Sequence, residues 1–126
     1  MIQFIIGGKS VAKQRPRSSR SGHFYTPKNT KEFEKKVGMC YRAIKGKNYL
    51  DKPVAIEIIF YEKKPKNCKS IFPIKKTGDI DNKAKCILDA LNGIAYNDDC
   101  QVVKLNIVKS YSDKDYTKVL IDERRA

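Results

Sequence analysis

The stretch GDIDNKAKCILDALNGIAYNDDCQVV, residues 78–103, places four aspartates in two pairs at the two ends of one apparent helix. Apolar residues follow at helical spacing: Ile80, Ala84, Ile87, Leu88 and Leu91. Asn92-Gly93 is a typical helix end, and an apolar, β-branched run begins at residue 101. The stretch therefore predicts a helix over 80–91 that leads into a strand. If residues 79–81 are extended, Asp79 and Asp81 point to one side and Ile80 points inward.

The other predicted elements are, in chain order, a strand at 2–6, a helix from near Asn29 to Gly46, a strand at 53–61, and closing strands at 101–109 and 116–122. The strand at 53–61 is apolar on most of both faces, which indicates a central position. SYSDKD, residues 110–115, is predicted to join the closing strands as a hairpin. The order β-α-β-α-β-β predicts an α+β fold with a mixed sheet and two main helices, in one small domain spanning residues 1–126.

The composition favours a polyanionic partner. Lys and Arg number 27 against 14 acids in 126 residues, a net charge of +13, and basic surfaces of this kind bind nucleic acid through phosphate. No apolar run is long enough to cross a bilayer, so a membrane span is excluded. A ribosomal or membrane-surface protein could be equally basic, but we expect nucleic acid rather than a membrane as the partner. The four cysteines lack zinc-ligand spacing, and we expect free thiols and a cytoplasmic location.

Much of the positive charge lies in two basic loops, residues 9–22 and 63–78. A charge run is usually a solvated face. Here, however, the second loop ends directly at the first aspartate pair, which favours contact with phosphate on both sides of a site. The candidate DNA-binding residues are Lys13, Arg15, Arg17, Arg20, Lys75 and Lys76.

The aspartates have two interpretations. Asp79 and Asp81 could cap a helix while Asp98-Asp99 makes a turn, since Asp is common in both places. Alternatively, the two pairs meet if residues 93–98 fold back, and their carboxylates hold Mg²⁺, which prefers oxygen ligands and can share a substrate phosphate. The concentration of acids in one segment of a basic chain favours the metal.

Lys85 also has two interpretations. It could be a surface lysine paired with Asp89 four residues on. Alternatively, its ammonium could stabilise charge on a transferring phosphate or leaving oxygen, and we favour this catalytic role.

The run from residue 78 to residue 109 resembles the signature of the RusA family of Holliday-junction resolvases. The shared features are Asp-x-Asp-Asn, a lysine one turn later, an Asp-Ala-Leu helix, and Asp-Asp-x-Gln-Val before a strand. One departure is Gly78, where many relatives have proline. The likeness is dense here and weaker over most of the remaining chain.

The resemblance implies a homodimeric, Mg²⁺-dependent endodeoxyribonuclease, with Mn²⁺ as a substitute ion, that nicks four-way DNA junctions symmetrically in recombination and repair. By matched position, Asp79, Asp81 and Asp99 would be metal ligands and Lys85 the catalytic lysine, while Asp98 matches the first aspartate of the second pair. The alternative is a basic DNA- or RNA-binding module without catalysis, whose binding would not change with a chelator.

Overall fold

The computed structural model of the chain describes residues 1–13, 17–18, 24–25, 28–46, 50–74 and 79–124. Within these ranges the elements are β1 (Ile2–Gly7), β2 (Arg17–Ser18), β3 (Phe24–Tyr25), α1 (Lys28–Lys45), β4 (Val54–Lys63), α2 (Ile80–Leu91), a short 3₁₀ turn (Asp99–Gln101), β5 (Val102–Ser112) and β6 (Tyr116–Glu123). Apart from the two-residue strands β2 and β3, which pair with each other, this is the predicted order.

The main sheet has the strand order β1-β6-β4-β5. The strand β4 pairs in parallel with β5 and antiparallel with β6, and β6 pairs antiparallel with β1. The sheet is therefore mixed and β4 is internal, so the predictions of an α+β fold, a mixed sheet and a central strand are confirmed.

The predicted hairpin between the closing strands is wrong. The strands β5 and β6 do not pair with each other, because β4 lies between them. Their short connection is held at the end of β4, where the Asp115 side chain accepts a hydrogen bond from the Lys63 N–H (2.9 Å) and the Ser112 carbonyl accepts one from the Lys64 N–H (3.1 Å).

One face of the sheet carries the core. Val54, Ile56, Ile58 and Phe60 alternate along β4 and are buried, as a strand with one covered face requires. They form one cluster with buried residues of both helices. The helix α1 contributes Phe33, Val37 and Tyr41. It ends at Lys45 and is followed by Gly46, whose φ of +73° favours glycine.

The two helices join different parts of the sheet. The helix α2 connects β4 to the parallel strand β5, so it runs back along the sheet from the end of β4 to the start of β5. Neither helix in the described part of the chain has the length and apolar composition needed to span a bilayer.

Candidate metal and DNA site

Asp79 is the N-cap residue of α2. Its backbone is extended (φ −72°, ψ 140°) and its carbonyl accepts the Lys83 N–H at 3.0 Å. Its exposed carboxylate makes no capping bond to the helix backbone, and its one described hydrogen bond is a long one, 3.5 Å from Asn82 Nδ2 to Oδ2. The side chain is thus not committed to capping, although Asp is a good cap residue.

Asp81 lies in the first turn of the same helix and is also exposed. Its Oδ1 accepts the Asn82 N–H at 2.9 Å. The helix already begins at Ile80, so only Asp79 has the extended backbone that was expected over residues 79–81. Ile80 is 37% exposed rather than pointing inward. Two solvent-facing carboxylates nevertheless lie within one helical turn.

The second aspartate pair is fixed by Gln101. The Gln101 Oε1 accepts the N–H groups of Asn97 (2.8 Å) and Asp98 (3.0 Å), and its Nε2 donates to the Leu50 carbonyl at 2.8 Å. The turn that carries Asp98 and Asp99 is therefore attached to the segment just before β4. These contacts explain why a glutamine follows the Asp98-Asp99 pair at position 101: its side chain holds the turn in place.

The interaction between the adjacent Asp98 and Asp99 carboxyl groups lowers the pKa of Asp98 and raises the pKa of Asp99, and the negative charge of Asp98 adds to that rise. Two adjacent carboxylates repel each other, and a bound cation would relieve that repulsion. Both residues are exposed.

The two aspartate pairs lie at opposite ends of α2. The helix has 12 residues and is therefore about 18 Å long. At its first turn, Lys83 reaches Glu62 near the end of β4, whereas Gln101 reaches Leu50 before β4 begins. Accordingly, the described residues of one chain contain no group of three carboxylate, histidine or cysteine side chains placed to hold a metal. The expected meeting of the two pairs does not occur within a single chain.

Lys85 is exposed on α2 and forms no ion pair with Asp89 in the described structure. Asp89 instead lies 3.4 Å from the ammonium of Lys13, which also pairs with Glu34. The interpretation of Lys85 as a surface lysine paired with Asp89 is therefore not supported, because Asp89 pairs with Lys13. Lys85 lies three residues after Asn82 and four after Asp81, on the exposed side of the same helix.

Lys13, a candidate DNA contact, joins the two helices. Partial burial disfavours its charge, but the hydrogen bond to Glu34 and the charges of Glu34 and Asp89 raise its pKa overall. Its N–H also donates to the Asn82 carbonyl at 2.8 Å. These contacts attach Lys13, at the end of the described residues 9–13, to the first turn of α2, which is also the turn that follows Asp79 and contains Asp81.

The other candidate DNA contacts cannot be located. Arg15, Arg20, Lys75 and Lys76 lie outside the described residues, as does the side chain of Arg17. Their role stays a prediction.

Lys83 is a residue that the sequence analysis missed. It is 2% exposed, its Nζ lies 3.9 Å from Glu62 Oε1, and it lies 5.7 Å from the centre of the Phe60 ring. Burial lowers its pKa, while the Glu62 carboxylate opposes that change. Its spacing to Ile87 and Ala90, both buried, is the signal that could have placed it on the core side of the helix.

Two comparisons with known proteins bear on this site. A family model described as endodeoxyribonuclease RusA matches residues 7–122, a span that contains both aspartate pairs, Lys83 and Lys85. An uncharacterized protein of Bacillus subtilis (strain 168), YqaN, is 32% identical in an alignment that covers 97% of this chain and 96% of that protein. The family match assigns a nuclease class, and the relative shows that the whole chain has a counterpart of similar length.

Proposed function

The chain belongs to the RusA endodeoxyribonuclease family, and on that premise we propose that it is a Mg²⁺-dependent enzyme that resolves Holliday junctions by paired symmetric nicks. The observation that carries the proposal is the pair Asp79 and Asp81. Both carboxylates are solvent-facing at the start of α2, in a chain of net charge +13.

The residues present fit a magnesium ion. Mg²⁺ takes oxygen ligands, keeps several waters and is often bound through one or two carboxylates together with substrate phosphate. Asp79 and Asp81 offer carboxylate oxygens on an exposed helical turn, with space beside them for water and a DNA phosphate. An ion between them also removes the repulsion that their negative charges would exert on that phosphate.

Bound there, the metal would lower the pKa of a water nucleophile and neutralise charge at the scissile phosphate. Lys85, exposed on the next turn of α2, donates to the leaving oxygen as it gains charge. The positive loops at 9–22 and 63–78 hold the flanking strands. In this assignment Asp79 and Asp81 bind metal, Lys85 is catalytic, and the loops position the DNA.

Asp99 completes the site from the partner subunit of a homodimer. Within one chain it lies at the far end of α2 from Asp79 and Asp81. It also begins the turn that leads into β5, which is an edge strand of the main sheet in the described chain and exposes Val103 and Leu105. An apolar, unpaired edge is a surface that proteins normally cover, and a second copy would bring its own Asp79 and Asp81 there.

A twofold axis makes this arrangement reciprocal. If Asp99 of one protomer meets Asp79 and Asp81 of its partner, the same operation creates a second, identical site. Two sites related by a twofold axis match two nicks placed symmetrically on a four-way junction. The dimer therefore accounts both for the separation of the aspartates and for the paired chemistry.

The first test is cleavage of a synthetic four-way junction with Mg²⁺, with Mn²⁺ and with excess EDTA, using a linear duplex of the same sequence as control. We expect paired nicks in the junction with either ion and none with EDTA. Asp79→Asn should abolish cleavage while junction binding, measured by gel shift, persists. Binding that is unaffected by EDTA, without cleavage under any condition, would instead support a non-catalytic binding module.

The second test mixes two inactive variants, an Asp79→Asn/Asp81→Asn chain and an Asp99→Asn chain. In a shared site, the mixed dimer has one site with both lesions and one intact site, so mixing should restore nicking of a single strand. In a site built within one chain, every site carries a lesion. Failure to regain nicking after denaturation and joint refolding, with dimer exchange verified by mass, would refute the shared site.

A further inference from the structure

A cavity of about 600 Å³ opens beside the first turn of α2. Its volume is in the range of pockets that hold small ligands. Five lysines line it, against two acids: Lys9, Lys63, Lys64, Lys66 and Lys83, with Glu62 and Asp115. The lining is thus strongly positive.

Lys83 is the inner wall of this cavity. It is 2% exposed and belongs to the core-facing side of α2, between residues that pack on the sheet. An apolar side chain would suit that position, because burying an ammonium is costly unless it is well paired. Glu62 is the only carboxylate within 4 Å of its Nζ among the described residues, and at 3.9 Å it is beyond hydrogen-bond distance.

Neither acid cancels the positive lining. The Asp115 carboxylate accepts the backbone N–H of Lys63 at 2.9 Å, and its carbonyl accepts the N–H of Gly8, so Asp115 connects the chain segments at the rim. Glu62 lies 3.9 Å from the Lys83 ammonium and is one of two carboxylates in a lining that contains five lysines. The cavity retains room and donors for an anion.

The cavity lies at the same end of α2 as the first aspartate pair. The N–H of Lys83 donates to the carbonyl of Asp79 at 3.0 Å, and Lys83 is only two residues beyond Asp81. Since successive helix residues are about 100° apart, Asp81 faces solvent while Lys83 faces the sheet. A DNA strand held at the two aspartates would pass the mouth of the cavity.

We propose that this cavity binds a backbone phosphate of the DNA strand held at Asp79 and Asp81, with the Lys83 ammonium as its inner ligand and Lys64 and Lys66 at its rim. The proposal rests on the proposed nuclease function. It assigns Lys83 a binding role distinct from that of Lys85, which acts at the scissile phosphate. The group bound is a phosphate, which could come either from the DNA backbone, as proposed, or from free inorganic phosphate.

The test compares Lys83→Met with Lys31→Met, a control that removes one exposed α1 lysine outside the cavity. Junction binding is measured in EDTA as a function of salt. We expect Lys83→Met to fold with equal or greater stability, because replacing a buried charge by an apolar side chain is often stabilising. Its junction affinity should fall about tenfold or more and its log–log salt slope by about 0.9. Lys31→Met should change neither.

A second arm locates the phosphate. Single neutral methylphosphonates are placed in turn along the nicked strand. At one position near the scissile bond the substitution should weaken wild-type binding but not Lys83→Met binding. Equal losses in both proteins at every position would overturn the proposal. If Lys83→Met does not fold, the same binding measurements are made on the double variant Lys64→Met/Lys66→Met, which replaces two exposed lysines of the cavity rim, and the same outcomes support or overturn the proposal.

A third arm separates this proposal from the nuclease assignment. Inorganic phosphate is titrated against thermal unfolding of wild type and Lys83→Met. Stabilisation of wild type alone, with no junction cleavage and no methylphosphonate effect, would mean that the cavity takes free phosphate, and the DNA assignment is overturned. Junction cleavage with identical binding by wild type and Lys83→Met would leave the nuclease function standing and overturn the cavity proposal.

Discussion

At the scale of single residues, two lysines two positions apart have opposite environments. A helix turns by about 200° between them, so Lys83 faces the sheet while Lys85 faces solvent. The exposure of Lys85 follows from the helical pattern. The core-facing position of Lys83 follows from its helical spacing to Ile87 and Ala90. Its partners could not be predicted, because the fold brings Glu62 and Phe60 to it from the strand β4.

Replacement of Lys85 should separate catalysis from binding. If its ammonium stabilises charge that develops during cleavage, Lys85→Ala should slow single-turnover cleavage about 100-fold with nearly unchanged junction affinity. Because Asp89 pairs with Lys13 instead, the free energy of unfolding should change by no more than about 0.5 kcal/mol. Quenched-flow cleavage and urea unfolding measure the two effects.

The matched control for Lys85→Ala is Lys31→Ala, which removes an exposed lysine from the other helix. This control should cleave at the wild-type rate. If the Lys85 variant also cleaves at that rate, the residue belongs to the solvated surface and the catalytic assignment fails.

At the scale of elements, the helices and the main strands were predictable from local sequence pattern, but the partners of the two closing strands, β5 and β6, were not. Two adjacent apolar segments separated by SYSDKD indicate a hairpin. The sheet instead inserts β4 between them, because β4 is apolar on most of both faces and is best placed inside the sheet. Strand partners are chosen by burial over the whole sheet, and no local window contains that information.

A buried hydroxyl on β6 offers a test of this core. Thr117 is fully buried opposite Phe60 of β4, and its Oγ1 has no hydrogen-bond partner among the described residues. Thr117→Val keeps the side-chain shape and removes an unsatisfied polar group, so it should raise the free energy of unfolding by about 1 kcal/mol. Urea unfolding measures this free energy, and the dependence of the free energy of unfolding on urea concentration should not change.

The matched control is Thr30→Val at the other buried threonine whose Oγ1 also lacks a partner. Thr30 lies in the first turn of α1, where a β-branched apolar residue gains less than in a strand, so a smaller gain is expected. Loss of stability in Thr117→Val would show that the hydroxyl is satisfied in solution.

At the scale of the whole molecule, the sequence shows the candidate aspartates, but it does not show how they are arranged in space. The spacing within residues 78–103 places both pairs at the ends of α2, and the structure keeps them there. Whether such pairs meet depends on how the chain returns after the helix. Here it leads into an edge strand at the far end, so in the proposed dimer the third ligand comes from a second copy, and the sequence of one chain does not contain that arrangement.

The last prediction concerns the net charge of +13 and the two basic loops. Four basic residues of the loops are neutralised together: Arg15→Gln, Arg17→Gln, Lys75→Gln and Lys76→Gln. If these side chains contact phosphate, junction binding should weaken, and the log–log dependence of affinity on salt should flatten by about 0.9 for each lost duplex contact. Fluorescence anisotropy at several salt concentrations gives the slope.

The control for the loops removes the same number of charges from the exposed surface of α1: Lys31→Gln, Lys35→Gln, Arg42→Gln and Lys45→Gln. Both variants have the same net charge, so an effect of overall charge on long-range attraction would appear equally in both. A flatter slope for the loop variant alone assigns the contacts to the loops, because counterions are released only where phosphates are neutralised directly. Equal slopes in the two variants would mean that the loop charges are solvated, and the DNA would then have to be held by the lysines beside α2.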